Sequence, residues 1–96
     1  MGQTKIVKEL RERHFSVQVL SMIGDDFPDL LIAQMGFAAL VELKSRASKS
    51  TWRKLSEGQL TFSREWRGAV ILGFTAEQIA HDFKLYRLAY IQGLSV

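Results

Sequence analysis

Apolar positions along the chain change period several times, and each change marks an element. From residue 3 to 14 the spacing is helical. Gln3, Ile6, Val7, Leu10 and His14 fall on one face of a 3.6-residue repeat, and Lys5, Lys8, Glu9, Arg11 and Glu12 occupy the rest. Phe15 to Met22 alternates and is rich in Val and Leu, which predicts a strand. Gly24-Asp25-Asp26-Phe27-Pro28 is a cluster of turn formers. Two short apolar runs follow, DLLIAQ over 29–34 and FAALVEL over 37–43, separated by Met35-Gly36. Such runs across a two-residue break containing glycine predict an antiparallel hairpin in which Gln34 faces Phe37 and Leu31 faces Leu40. One face then carries Asp29, Leu31, Ala33, Ala38, Leu40, Glu42 and Lys44. The other carries Leu30, Ile32, Phe37, Ala39, Val41 and Leu43. Both faces are apolar in the middle, so the hairpin is expected at the covered centre of a sheet.

Residues 45–54, SRASKSTWRK, lack periodicity and read as a basic loop. Ser56-Glu57-Gly58-Gln59 fits a capping box and opens a helix to about Trp66. Its inward positions are Gln59, Phe62, Ser63 and Trp66, with Phe62 and Trp66 expected in the core. Gly68 ends it, and AVILGF over 69–74 reads as a buried strand. Thr75-Ala76-Glu77-Gln78 is a second capping box, and Ile79, Phe83, Tyr86 and Tyr90 form the stripe of the helix it opens. Two endings fit the tail: a helix running on to a stop at Gly93, or a break near Lys84 with Tyr86 to Ile91 as a last strand. The element order α-β-β-β-α-β-α predicts an α/β fold of three layers with a mixed sheet, one domain over residues 1–96.

Composition narrows what this fold can do. At 96 residues and 10.9 kDa the chain supports one core and one site. Hydrophobic residues at 47% and charged residues at 24% are globular averages, which excludes disorder. No apolar run approaches the length of a membrane span, so no membrane partner is expected. The absence of cysteine removes disulfides, thiol catalysis and Cys-ligated zinc, and with the charged start of the chain it makes a cytoplasmic location the expectation. The formal net charge is +3. Between Lys44 and Arg67 seven basic residues stand against two acidic ones, while Asp25, Asp26 and Asp29 cluster just upstream. An acidic focus beside a basic apron suits metal-dependent chemistry on phosphodiesters: carboxylates hold a cation, and Lys and Arg hold the polyanion. Arg46, Lys49, Arg53 and Lys54 are the candidate DNA-binding residues of that apron. Trp52 in the same loop could equally stack on a base or anchor the loop.

The hairpin register sets Asp29 opposite Glu42, with Cβ atoms about 4.5–5.5 Å apart. Like charges so placed repel, and a divalent cation such as Mg²⁺, which takes one or two carboxylates, relieves the repulsion. Lys44 follows on the same face, and Gln59 points from its helix toward the same sheet. Asp29, Glu42, Lys44 and Gln59 are therefore the candidate catalytic residues. The competing reading makes Asp29 a turn residue, Glu42 and Lys44 a solvated strand end, and Gln59 merely the third residue of a capping box. Asp25 and Asp26 read as turn acids, and His14 as a helix-end residue favoured by the dipole.

These residues carry a resemblance. Gly24-Asp25-Asp26-Phe27-Pro28-Asp29-Leu30-Leu31 followed by Val41-Glu42-Leu43-Lys44 resembles the PD-(D/E)xK signature of restriction-endonuclease-like nucleases. Lys54-Leu55-Ser56-Glu57-Gly58-Gln59 with Trp66-Arg67-Gly68 is similar to the glutamine helix of the VRR-NUC-type branch, small stand-alone proteins of phages and prophages akin to Holliday-junction resolvases. The resemblance spans about residues 3–83. It implies a restriction-endonuclease-like core and a Mg²⁺- or Mn²⁺-dependent endonuclease acting on branched or duplex DNA. The ion would be held by Asp29, Glu42 and the backbone carbonyl of Leu43, with Lys44 as catalytic lysine and Gln59 assisting. Relatives add an acid from the first helix as a further metal contact; here the inward position holds Gln3, the candidate for that contact, and Glu9 lies about 120° round from it. A chain this small covers little DNA, so a homodimer is expected. A nucleic-acid-binding module with weak or no catalysis explains the same basic apron and remains the alternative. A structural interaction protein with an accidental carboxylate pair is the third reading.

Overall fold

The computed structural model describes residues 2–24, 26–44 and 56–95. The basic stretch with Arg46, Lys49, Trp52, Arg53 and Lys54, and also Asp25, lies outside the described residues. The elements are α1 (Gln3–Glu12), β1 (Ser16–Val19), β2 (Leu30–Gln34), β3 (Phe37–Leu43), α2 (Glu57–Glu65), β4 (Ala69–Gly73) and α3 (Ala76–Ser95). The fold is α/β in the expected order. Among the described residues four strands lie in the order β1-β2-β3-β4. The first two pairings are antiparallel and β3–β4 is parallel, which makes the sheet mixed. A parallel neighbour requires a crossover, and α2 lies on it.

Helix α1 buries Ile6, Val7 and Leu10, the stripe its periodicity marks. It ends in a Schellman motif. His14 takes the left-handed position at φ 71°, its N–H donates to the Arg11 carbonyl (3.0 Å), and the Phe15 N–H donates to the Leu10 carbonyl (3.1 Å). His14 is thus a reversal residue that delivers Phe15 into the core beside Leu10. Strand β1 is shorter than its alternation suggests, because the chain turns at Leu20, whose carbonyl accepts from the Ile23 N–H.

The hairpin turn has both central residues at positive φ, Met35 at 55° and Gly36 at 79°, as a type I′ turn requires. That turn yields the register Leu31↔Leu40 and Ala33↔Ala38. Met35 is 74% exposed and has no packing to offset its left-handed backbone. Met35→Asn is therefore expected to stabilise the fold by about 1 kcal/mol, read as a rise of a few degrees in melting temperature.

The core lies on one sheet face. Leu30, Ile32, Ala39, Val41 and Ile71 meet α1 and the first half of α3 through Ile79 and Phe83. Gly73 permits the close approach of α3, since a Cβ there would fall 2.7 Å from the Ile79 side chain. Helix α3 runs unbroken through Gly93 to Ser95, so there is no final strand and Gly93 is not a stop. Its stripe divides: Ile79 and Phe83 are buried, whereas Tyr86 and Tyr90 are exposed, touching the sheet through the Tyr86 hydroxyl on the Val70 carbonyl and the Tyr90 ring against Phe37.

The opposite face departs from expectation. The hairpin is central in strand order, but among the described residues this face is covered only in part: Leu40 is buried, while Leu31 is 39% exposed. Helix α2 supplies the third layer and buries none of its residues. Phe62 is half-buried and Trp66 is 45% exposed, so neither belongs to the core. Instead they stack on each other, with ring centroids 5.3 Å apart, and Phe62 meets Phe27 edge-on.

Candidate active site

The site forms where β3 leaves the sheet. The regular β2–β3 ladder ends at Leu30↔Val41, and Asp29 stands one residue outside it. The Asp29 N–H donates to the Val41 carbonyl (2.9 Å), and its Oδ2 accepts from the Leu43 N–H (2.8 Å). Asp29 thereby brackets Glu42 on both sides, close enough for its carboxyl to act on that of Glu42. Leu43 enters the arrangement through its amide.

Lys44 lies two residues on, on the same face as period 2 requires. Its Nζ is 4.0 Å from Glu42 Oε2. The side chains of Glu42 and Lys44 are only 13% and 16% exposed, so this is no solvated strand end. Gln59 joins the two. Its Nε2 donates to Glu42 Oε2 (2.9 Å), and its Oε1 accepts from Lys44 Nζ (3.0 Å). The same Oε1 accepts from the Ser56 N–H (3.0 Å), while the Gln59 N–H donates to Ser56 Oγ (3.1 Å). Gln59 is therefore a capping-box residue and a member of the cluster at once, since an amide oxygen can accept twice.

Asp26 contributes more than a turn. Its Oδ1 accepts from Ser56 Oγ (3.0 Å), which ties the β1–β2 connection to the start of α2. Gly58 makes room for it: a Cβ at that position would overlap the Asp26 carboxylate. The Ser56 and Gln59 signal was legible in the sequence as a capping box, but nothing local pointed to Asp26 as its partner. Gln3 lies elsewhere. Its Oε1 accepts from Ser21 Oγ (3.1 Å), and it lines a separate recess with Val7, Lys8 and Val19. Glu9 pairs with Lys5 at 4.0 Å on the outside of α1.

These surroundings push the Glu42 carboxyl up from 4.5 to about 7. Burial is the main cause and the Asp29 charge the next. Lys44 opposes them, the hydrogen bond with Asp29 adds to the rise, and Asp26 adds the least. The cluster is thus short of positive charge. Among the described residues no three His, Cys, Asp or Glu side chains gather as a full metal shell. Two converging carboxyls still suit Mg²⁺, which takes the rest of its ligands from water and phosphate oxygens. Beside the cluster is a cavity of about 230 Å³, bounded by Glu42, Gln59, Phe62, Val70, Leu72 and Tyr86.

No protein-family model matches the chain, and no curated protein shows detectable sequence similarity to it. No helix among the described residues is long and apolar enough to cross a membrane.

Proposed function

We propose that the chain is a Mg²⁺- or Mn²⁺-dependent DNA endonuclease of the PD-(D/E)xK type, working in the cytoplasm on branched or duplex DNA. The observation that carries this reading is the joining of the Glu42 carboxyl, an ammonium and a glutamine in one hydrogen-bonded cluster beside an open cavity, with a second carboxyl, Asp29, held on the neighbouring Leu43 amide. Asp29, Glu42 and the Leu43 carbonyl would hold the ion. When bound, it neutralises the phosphodiester and lowers the pKa of water. Lys44 brings a fixed positive charge to the place where negative charge develops on the phosphate. Gln59 holds Lys44 and Glu42 in their mutual geometry and needs no reorganisation to do so. Arg46, Lys49, Arg53 and Lys54 would grip the backbone. Two copies related by a two-fold axis would let so small a chain address two strands.

A binding module without catalysis draws support from two features: Asp29 already spends one oxygen on the Leu43 amide, and α1 offers Gln3, hydrogen-bonded to Ser21, in place of an acid. Cleavage of synthetic four-way junctions, flaps, single strands and linear duplex, with Mg²⁺, Mn²⁺ or chelator, separates the two readings. Metal-dependent cutting is expected. Asp29→Asn should reduce it at least about 100-fold while binding is retained, because Asn keeps an acceptor for the Leu43 amide. Wild-type protein that binds DNA but cuts in neither metal establishes the module instead.

A further inference from the structure

We infer that the cavity beside the cluster receives a single unpaired nucleobase, so that the substrate is nucleic acid presenting an unstacked base next to the phosphate being cut. The inference rests on the phosphodiester reading of the same site. The cavity is continuous with the cluster, since Glu42 and Gln59 line it. Away from them its walls turn apolar and aromatic, with Val70, Leu72, Phe62 and Tyr86. At about 230 Å³ it is smaller than the roughly 300–1,000 Å³ of sites for drug-sized ligands, which limits it to one ring system.

Two features favour a base over other flat groups. The Phe62–Trp66 pair is stacked with an interplanar angle of 15° and leads from the cavity wall to solvent. Gly68 at the rim lets the Trp66 indole lie across the backbone, where a Cβ would fall 2.8 Å from Nε1. A half-exposed aromatic platform running into a narrow cavity is what sequence-tolerant base stacking needs. The polar atoms inside also suit a neutral heterocycle. Ser63 Oγ donates to the Leu60 carbonyl and Tyr86 Oη to the Val70 carbonyl, so both oxygens remain free to accept from a ring N–H. Asp26 and Glu42 at the same cavity repel an anion. A base inside a duplex is paired and stacked and reaches such a cavity only when extruded, whereas an unpaired base enters at lower cost.

The test compares a labelled single-stranded oligonucleotide with an abasic strand of the same length and charge, in wild type, Ser63→Phe and Phe62→Ala, by fluorescence anisotropy. Wild type should prefer the base-bearing strand by roughly fivefold or more, the lower bound for one stacked base. Ser63→Phe fills the cavity from an exposed helical position, and Phe62→Ala removes the wall; each should bring the ratio to near one without changing the salt dependence of binding. Equal affinity of wild type for both strands, or an unchanged preference in Ser63→Phe with its melting temperature intact, overturns the inference. Cleavage in Mn²⁺ is scored separately. A base preference without cutting in either metal leaves the cavity assignment standing and removes the nuclease reading; cutting without a base preference does the reverse.

Discussion

Glu42→Gln is expected to move stability and cleavage in opposite directions. The folded protein holds the Glu42 carboxyl near 7, above its value of 4.5 in the unfolded chain. The sign follows from that order. Well below pH 4.5 the carboxyl is neutral in both states and costs nothing. As pH rises toward 7 the unfolded chain ionises freely while the fold resists, so stability is lost across that window and the loss is complete above it. The full shift corresponds to at most about 3 kcal/mol. Glutamine has no charge to bury, and its side-chain oxygen can still accept from Gln59 Nε2. At pH 8 the variant should therefore melt up to about 12 °C above wild type, and near pH 3.5 the two should nearly coincide. Mn²⁺ should raise the wild-type melting temperature at pH 8 and leave that of the variant unmoved, because a cation bound only to the fold stabilises it by mass action. Cleavage should fall at least about 100-fold. Calorimetric melts at both pH values, with and without Mn²⁺, check this; a variant less stable than wild type at pH 8 refutes the account of the cluster as charge-frustrated.

Phe83→Ala should come close to unfolding the domain. Phe83 is buried at the junction of α1, α3 and the sheet, edge-on to Phe15 at 5.0 Å and to Phe37 at 5.4 Å. Truncating a buried phenylalanine costs about 3–5 kcal/mol through lost transfer energy and the cavity left behind. A chain of this length has only about 5–14 kcal/mol in total. The melting temperature should fall by about 12 °C or more, with urea unfolding shifted accordingly. Leu85→Ala, two residues on and solvent-facing, should stay within about 0.5 kcal/mol of wild type. Equal effects at the two positions would show that α3 is not anchored through Phe83.

Much of the arrangement is local enough to be legible along the chain. Side-chain alternation has period 2, and a two-residue turn leaves no freedom of register, so Met35-Gly36 alone places Asp29, Glu42 and Lys44 at one end of one face. The α1 stripe and the capping box at Ser56 are equally local, because each depends on residues within about four positions of one another; at Thr75 only half of the expected box forms, since the Gln78 N–H donates to the Thr75 hydroxyl but the Gln78 side chain accepts from the Phe74 N–H. The end of α3 was not legible, since the pattern of Lys84 to Ile91 suits a helix or a strand, and the structure continues the helix to Ser95. Tertiary structure alone decided that Gln59 spans Glu42 and Lys44, that Asp26 meets the start of α2, and that Trp66 lies outside the core. It also decided that Glu42 is half-buried beside Asp29, which raises its pKa. The reason is range: pattern and turn chemistry act between near neighbours, whereas these contacts depend on where the crossover returns α2 to the sheet.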